Sequence, residues 1–227
     1  MTESIELTID DQQVTAEKGT KILQAALDAG IYIPHLCYLP EAELPFGGCR
    51  LCYVTVEGRG PVTARTQPVA AGMVVHTQAP EALRLRRTAF RLLLAYHDLD
   101  CRNCWKNKKC ELQKLAPKLK VKLKTPEDFR GLPEERPPLD TTNPFITYDP
   151  GRCVLCGKCV QVCTNRNGVP LLDFAFRGIE TRLTMSLDAD LIARTCPPCG
   201  ECAAVCPTAA LEPQPGLKVN PGAAGTG

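Results

Sequence analysis

The chain has 227 residues, of which 20 are proline, 14 are cysteine and 44% are hydrophobic, and its formal net charge is +2. This composition favours several small modules over one large core, and small modules often depend on metal ions or cross-links for stability. The near-neutral charge excludes an overall basic field of the kind that attracts nucleic acid.

The start of the chain is polar and lacks the basic and apolar regions of a signal peptide. No apolar run is long enough to span a bilayer. We therefore expect a cytoplasmic protein without a membrane span. In such a reducing compartment, 14 cysteines indicate metal sites rather than disulfides.

Residues 1–78 are predicted to form a small mixed β domain. Apolar and polar residues alternate over residues 5–9, as on a half-buried strand, and Val14 begins the return strand. Thr20 is expected to cap a helix that Gly30 ends. Further strands are predicted at residues 52–57, 62–64 and 73–76.

Three cysteines of this domain, Cys37, Cys49 and Cys52, lie in or beside a glycine-rich loop. A site made of four thiolates needs one more, and the next cysteine along the chain is Cys101. The sequence therefore predicts three quarters of a metal site.

An amphipathic helix is predicted over residues 81–96, within a domain that covers residues 79–119. A second helix should run from Glu111 to about Lys118. Residues 118–124 alternate basic and apolar side chains, which favours a solvated face or strand over a surface for docking a partner. The stripe predicted to face the core in the first helix consists of Leu85, Ala89, Leu92, Leu93 and Tyr96.

The segment between the two helices reads His97-x3-Cys101-x2-Cys104-x5-Cys110. On spacing alone, a zinc site with three cysteines and one histidine competes here. A [4Fe–4S] cluster is the more economical prediction, because two ferredoxin-type motifs follow in the same chain. A neutral imidazole in place of a thiolate removes one negative charge, which should raise the reduction potential of that cluster.

The strongest signal is an internal repeat within residues 148–214, after a proline-rich linker over residues 120–147 and before a tail over residues 215–227. In the repeat, CxxCxxCxxxC occurs twice, and in two-cluster ferredoxins the fourth cysteine of each run binds the other cluster. Zinc is disfavoured because it prefers separated CxxC pairs. The crossing predicts one [4Fe–4S] site formed by Cys153, Cys156, Cys159 and Cys206, and another formed by Cys196, Cys199, Cys202 and Cys163.

The order of these motifs resembles that of one family. It is similar to the diaphorase iron–sulfur subunit of NAD-reducing bidirectional [NiFe] hydrogenases and to the N-terminal region of the large iron–sulfur subunit of respiratory NADH:quinone oxidoreductase. The resemblance extends from Ile5 to about Leu211. It implies an α+β chain with a β-grasp [2Fe–2S] ferredoxin-like domain, a small helical histidine–cysteine [4Fe–4S] domain and a bacterial-type double [4Fe–4S] ferredoxin domain.

The resemblance also implies a role. Three [4Fe–4S] clusters would carry electrons between a flavoprotein diaphorase subunit, which binds NAD(P)H, and a hydrogenase small subunit or another catalytic subunit. The sequence has no GxGxxG or GxxxxGK[ST] motif and no convincing nucleophile–base pair. We therefore expect a subunit of an NAD(P)-linked oxidoreductase with no catalytic residue and no nucleotide or flavin site of its own.

Two other interpretations stay open. The chain has the same electron-transfer role in a formate dehydrogenase or an electron-bifurcating complex, or it is an iron–sulfur scaffold or redox-sensing binding protein. Nickel in the purified complex would favour hydrogenase over the formate dehydrogenase and bifurcating partners.

In this family the N-terminal domain holds a [2Fe–2S] cluster by four cysteines, and Cys37, Cys49 and Cys52 match the first three. Arg65 stands where the fourth is expected. The domain is then purely structural, or it holds a cluster with a non-cysteine fourth ligand, or a partner subunit supplies that ligand.

The candidate replacements within the chain are Arg65 itself, Thr66, a nearby carboxylate, and bound water or hydroxide. A guanidinium is a poor ligand because it is normally protonated. His35 and His76 are expected to be ordinary surface histidines.

Overall fold

The computed structural model describes residues 3–42, 46–129, 137–168, 171–185 and 189–217. Contacts divide the chain into two compact units, one drawn from Met1–Leu92 and Leu115–Lys122, the other from Leu93–Lys114 and Leu123–Gly227. The class is α+β, as predicted. Residues 130–136 of the predicted linker and residues 218–227 of the predicted tail lie outside the described residues, and the domain boundaries stay predictions.

The first unit is built on a five-stranded sheet with the strand order β2-β1-β5-β3-β4. β1 runs antiparallel to β2 and parallel to β5, while β3 runs antiparallel to both β4 and β5. A parallel pair needs a crossover connection, and helix α1 (Ile22–Asp28) lies in it. This is the predicted β-grasp arrangement. The strands are β1 (Ser4–Ile9), β2 (Gln12–Glu17), β3 (Tyr53–Val56), β4 (Gly60–Thr63) and β5 (Val74–His76).

The ends of α1 agree only in part with the sequence prediction. Gly30 has a φ of +75° and follows the last helical turn, which is the expected use of glycine at a helix end. The predicted cap at Thr20 was wrong: Lys21 occupies the N-cap position, and no side chain caps the helix there. The amides of Ile22 and Leu23 instead donate to the carbonyl oxygens of Gln67 at 3.0 Å and Ala64 at 2.9 Å, so backbone acceptors replace the side-chain cap.

Helix α2 (Pro80–Tyr96) turns a different face inward from the predicted one. Leu92 is 53% exposed, and Arg86 is 1% exposed. The reason is a hydrogen bond: Arg86 Nε donates to the Tyr53 carbonyl oxygen at 2.6 Å, and this draws the arginine into the interior. The buried side chains of α2 are Ala82, Arg86, Ala89, Phe90 and Leu94.

Helix α3 (Glu111–Leu119) begins and ends within a residue of its predicted bounds. The basic run that follows forms no strand within residues 120–129, which the structure describes. The lysines of the run are exposed, which a solvated face requires, and the choice between a solvated face and a docking surface stays a prediction. These lysines are Lys118, Lys120, Lys122 and Lys124.

The second unit contains two small antiparallel β ladders, three short α-helices, the end of α2 and the start of α3 among its described residues. β6 (Ile146–Tyr148) pairs with β9 (Leu211–Pro213), which joins the start of the cysteine-rich repeat to its end. The other ladder pairs β7 (Leu172–Ala175) with β8 (Arg182–Met185). The remaining helices are α4 (Lys158–Asn167), α5 (Ala189–Thr195) and α6 (Glu201–Val205).

The internal repeat is visible in the backbone of this unit. Gly157 precedes α4 and Gly200 precedes α6, and both take left-handed φ values, of +76° and +65°. In each half, a CxxC loop turns at this glycine into a helix that carries the third cysteine of the run; Cys163 also lies in α4, whereas Cys206 follows the end of α6. Among the described residues, no helix is long and apolar enough to cross a membrane.

Candidate metal centres

The first ferredoxin-type site is a cavity with about 330 Å³ of empty space. The loop before α4 and the first turn of that helix supply three of its thiols, and the segment between α6 and β9 supplies the fourth. Apolar side chains such as Phe174, Leu183 and Leu211 complete the lining. The four cysteines on its wall are Cys153, Cys156, Cys159 and Cys206.

The second ferredoxin-type site is a cavity with about 500 Å³ of empty space, part of it open to solvent. Asn143 and Met185 lie on its wall, and Asn143 Nδ2 donates a hydrogen bond to Cys196 Sγ at 3.3 Å. The four cysteines on its wall are Cys163, Cys196, Cys199 and Cys202. Each cavity therefore gathers three thiols from one run and the fourth from the other. This is the grouping that the sequence predicts, while cluster binding itself stays a prediction.

The donor sets fit iron–sulfur clusters. Burial raises the pKa of Cys153 to about 11 and the pKa values of Cys156 and Cys202 to about 12, so these thiols hold their protons until a metal displaces them. No three His, Cys, Asp or Glu side chains in the described ranges are close enough together to hold one metal ion. Thiols spread around a larger cavity suit a polynuclear cluster better than a single zinc ion.

Each ferredoxin-type site has one side-chain donor directed at its first cysteine. Asn143 serves Cys196 in this way, and the Tyr148 hydroxyl hydrogen-bonds to Cys153. Tyr148 is itself buried, with its hydroxyl accepting from the Leu183 amide at 3.1 Å. Sequence reasoning missed both residues, because neither lies inside a cysteine motif.

The histidine–cysteine loop, residues 97–110, begins directly after α2 and ends directly before α3. His97 is buried at 6% exposure, and Cys110 is buried as well. Burial raises the pKa of Cys110, and the nearby Cys104 and Cys101 thiols raise it further, so the three cysteines are electrostatic neighbours. His97 and these cysteines are the four residues that the sequence predicts for the third site.

This loop is fastened to the ferredoxin-type part of the same unit. Lys106 Nζ donates to the carbonyl oxygens of Cys206 and Ala203, the latter at 3.3 Å. Trp105 Nε1 donates to the Ala209 carbonyl oxygen at 3.3 Å. The Glu111 amide donates to the carbonyl oxygen of the residue after Cys206, at 2.9 Å. All of these contacts surround Cys206, so the third site lies next to the first.

The N-terminal site brings together Cys37, Cys49 and Cys52, which are 1%, 2% and 2% exposed. A hydrogen bond from the Cys37 thiol lowers the pKa of Cys49 to about 6. Leu36 N donates to Cys49 Sγ, and Arg65 N donates to Cys52 Sγ, each at 3.4 Å. Arg65, which stands at the position of the missing fourth cysteine, therefore lies next to the thiols, because its backbone amide hydrogen-bonds to Cys52.

The Arg65 side chain is buried, with 5% exposure. Its Nη2 donates to the carbonyl oxygens of Leu39 at 3.1 Å and Ala42 at 3.4 Å. The guanidinium carbon lies 4.8 Å from the centre of the Tyr38 ring. Arg65 therefore links the segment after β4 to the segment after Cys37.

The two histidines of this domain differ from each other. His76 is exposed at the end of β5 and lies 3.0 Å from Glu57 Oε1, as a surface histidine should. His35 is half-buried instead, with Nδ1 at 2.8 Å from the Ile33 carbonyl oxygen and its ring 5.3 Å from that of Tyr38. Both histidines are partly exposed, and they differ in that His35 packs against aromatic rings.

Three family models match successive parts of the chain. The model described as "2Fe-2S iron-sulfur cluster binding domain" matches residues 2–80. The model described as "NADH-ubiquinone oxidoreductase-G iron-sulfur binding region" matches residues 86–124. The model described as "4Fe-4S binding domain" matches residues 146–166.

Curated relatives are similar over nearly the whole chain. The NADPH-Fe(3+) oxidoreductase subunit alpha of Geobacter sulfurreducens is 37% identical over 93% of this chain and 24% of its own length. The NADP-reducing hydrogenase subunit HndD of Solidesulfovibrio fructosivorans is 34% identical over 90% of this chain and 35% of its own length. The mitochondrial NADH-ubiquinone oxidoreductase 78 kDa subunit of Neurospora crassa is 34% identical over 93% of this chain and 28% of its own length. The chain thus spans only a quarter to a third of these relatives.

A solved structure is similar over most of its length. A chain in the crystal structure of an NAD+-reducing [NiFe]-hydrogenase in the H2-reduced state superposes with a TM-score of 0.82 and 31% identity. The match covers 96% of this chain and 91% of that chain.

Proposed function

This chain belongs to the family of diaphorase iron–sulfur subunits of NAD-reducing [NiFe] hydrogenases, and we propose that it carries electrons between an NAD(P)H-oxidising flavoprotein and a hydrogenase module. The same family is related to the 78 kDa subunit of NADH-ubiquinone oxidoreductase. The single observation that supports the proposed role most directly is the pair of cavities, each walled by four thiols from both halves of the repeat. Such a chain works as a subunit and holds no substrate site of its own.

We assign three [4Fe–4S] clusters to these residues. Two would be held by the eight thiols of the ferredoxin-type cavities, and one by His97 with Cys101, Cys104 and Cys110. An iron–sulfur cluster supplies reversible one-electron chemistry when it is bound. The chain's own residues supply thiolates and an imidazole, surround them with apolar side chains and hold the three sites at fixed separations. Fourteen reduced cysteines suit the cytoplasm, where we place the protein.

The contacts support an order for the three sites. The histidine–cysteine loop lies against the backbone of Cys206 through Lys106. The Cys206 cavity in turn neighbours the other ferredoxin-type cavity, since Cys202 of that cavity contributes to raising the pKa of Cys159. The Cys206 site therefore lies between the other two. Electrons that enter at one outer site and leave at the other would pass through it.

The test is made on the anaerobically purified complex. The chain should be brown and should carry about 12 irons, as three [4Fe–4S] clusters require, and its clusters should be reduced by NADH or NADPH only when the flavoprotein partner is present. A colourless chain rich in zinc would overturn the cluster assignment. Clusters that stay oxidised with the partner and nucleotide present would instead favour a scaffold or sensor.

Nickel distinguishes the modules at the far end. A hydrogenase module should co-purify with nickel in stoichiometric amount and should oxidise H2. A nickel-free complex that reduces ferric iron would point to the activity named in the Geobacter relative. A nickel-free complex active on formate would indicate a formate dehydrogenase.

A further inference from the structure

We propose that the N-terminal site of this chain holds no [2Fe–2S] cluster, and that Arg65 replaces the cluster as the group that closes the loop after Cys37. The β-grasp fold is kept, but the domain takes no part in electron transfer. This inference concerns a site outside the three assigned above, so it holds or fails independently of the proposed function.

The Arg65 side chain offers no ligand to iron. A guanidinium carries only donors and has no lone pair to give to a metal. Nη2 already donates to the carbonyl oxygens of Leu39 and Ala42, and the guanidinium lies over the Tyr38 ring. Nε is buried without a hydrogen-bond acceptor among the described residues, but as a donor it adds no ligand. The Arg65 side chain thus links two backbone segments through hydrogen bonds and does not act as a fourth ligand.

Two other side chains of the domain, those of Thr66 and His76, have hydrogen-bonding partners of their own. Thr66 Oγ1 is 2.5 Å from Thr63 Oγ1 and donates to the Thr63 carbonyl oxygen at 3.1 Å. His76 is exposed and paired with Glu57. Both side chains therefore have hydrogen-bonding partners other than the three cysteines.

The three thiols are covered more completely than those of the ferredoxin-type sites. There, every cysteine residue keeps at least 8% exposure. Cys37, Cys49 and Cys52 keep only 1% to 2%. Cys37 bonds to Cys49, Leu36 N bonds to Cys49, and Arg65 N bonds to Cys52. The protein itself satisfies these thiols and covers them.

Arg65 also makes the long-range link that a metal would otherwise make. A [2Fe–2S] cluster joins the loop that carries the first cysteine to the strand end that carries the fourth. Arg65 stands at that strand end, and its two hydrogen bonds reach the same loop. Three thiolates alone would leave an iron atom short of a protein ligand. One side chain therefore closes the loop without a cluster.

Restoring the missing ligand is the sharpest experiment. The wild-type holo-chain should carry about 12 irons, and reduced samples should show no [2Fe–2S] EPR signal. Arg65→Cys should raise the iron content to about 14 and add a [2Fe–2S] signal, which Cys49→Ser should remove. Arg59→Cys, which adds a cysteine at an exposed position of the same domain, should change neither reading. A [2Fe–2S] signal in the wild type that Cys49→Ser abolishes would overturn the proposal.

The closing role of Arg65 has its own readout, which does not need cluster gain. In Arg65→Met, the thiol of Cys37 should react with iodoacetamide at least about tenfold faster than in the wild type, because the loop over it opens more often. Peptide mass spectrometry measures that rate at each cysteine. Arg59→Met is the matched control and should react like the wild type. An unchanged rate in Arg65→Met, in a chain that keeps its other clusters, would reject the closing role.

Discussion

Lys106 Nζ donates a hydrogen bond to the backbone carbonyl of Cys206, so a lysine of the histidine–cysteine loop rests on a cysteine of the neighbouring site. Burial lowers the pKa of Lys106, while the nearby Cys206 and Cys110 raise it. Two groups of thiols therefore share one cation. A charge in that position acts on both sites at once.

Replacing Lys106 tests this shared charge. Lys106→Met removes the cation and should lower the reduction potentials of the two adjacent clusters, on the order of tens of millivolts, since a more negative reduced cluster loses a compensating charge. Potentiometric EPR titration of the holo-complex measures both. Lys109→Met, in the same loop but exposed, is the control. Potentials that do not move would show that the lysine only holds the loop in place.

His97 is predicted to bind iron. His97→Ala should leave about 8 irons and abolish one [4Fe–4S] signal, whereas His97→Cys should keep about 12 and lower that cluster's potential, because a thiolate adds negative charge. Iron analysis and EPR distinguish the two variants. His76→Ala, which removes an exposed histidine paired with Glu57, should match the wild type. Full iron content in His97→Ala would remove the histidine from the ligand set.

Asn143 should tune only the second ferredoxin-type site. Its Nδ2 donates to Cys196 Sγ, while its Oδ1 accepts from the amides of Phe145 and Ile146 at 2.8 and 3.0 Å. Asn143→Asp keeps the acceptor, removes the donor and adds a negative charge, which acts on the potential in the same direction. The potential of that one cluster should fall, since a hydrogen bond to a ligand sulfur favours the reduced state. Equal shifts in all three clusters would mean that the effect is not local.

Tyr148 offers the matching change at the first ferredoxin-type site. Tyr148→Phe removes the hydroxyl that bonds to Cys153 and should lower the potential of that cluster while leaving the Asn143-dependent one unchanged. The lost buried bond to Leu183 should also cost about 1 kcal/mol of stability. Comparing the two variants in the same titration shows whether each donor serves its own site.

Arg86 carries a stability prediction. Arg86→Ala removes a fully buried side chain and its hydrogen bond to the Tyr53 carbonyl, so the free energy of unfolding should fall by about 3 kcal/mol. Arg86→Met fills more of the space and should cost less. Urea unfolding of the holo-chain measures the difference. Arg84→Ala, on the exposed face of the same helix, should stay within about 0.5 kcal/mol of the wild type.

The grouping of the ferredoxin-type cysteines could be predicted from the sequence because metal chemistry restricts their spacing. Three cysteines separated by two residues suit one corner of a cluster, and the fourth must come from elsewhere, so the grouping of Cys163 with the second run could be predicted without coordinates. The strands of the first unit could be predicted from hydrophobic periodicity, because a strand with one buried face has an apolar residue at every second position.

Long-range polar contacts could not be predicted from cysteine spacing or hydrophobic periodicity. Nothing near Arg86 in the sequence indicates that the Tyr53 carbonyl will accept from it, so the stripe of α2 was assigned to the wrong side. Lys106 and Asn143 have partners about 100 and 53 positions away. Such pairs exist only once the elements have packed, and local propensity does not record them.

The pairing of β6 with β9 has a consequence for biosynthesis. It brings residues near the start of the repeat against residues near its end, and Cys206 lies in the segment just before β9. While the ribosome has delivered only the first run, the first site has three of its four thiols, and Cys163 lacks the other three cysteines of the second site. We therefore expect the proposed cluster of the second site to form once Cys202 has emerged and that of the first site only after Cys206, so a chain cut short before Cys206 should not hold the first cluster in stable form.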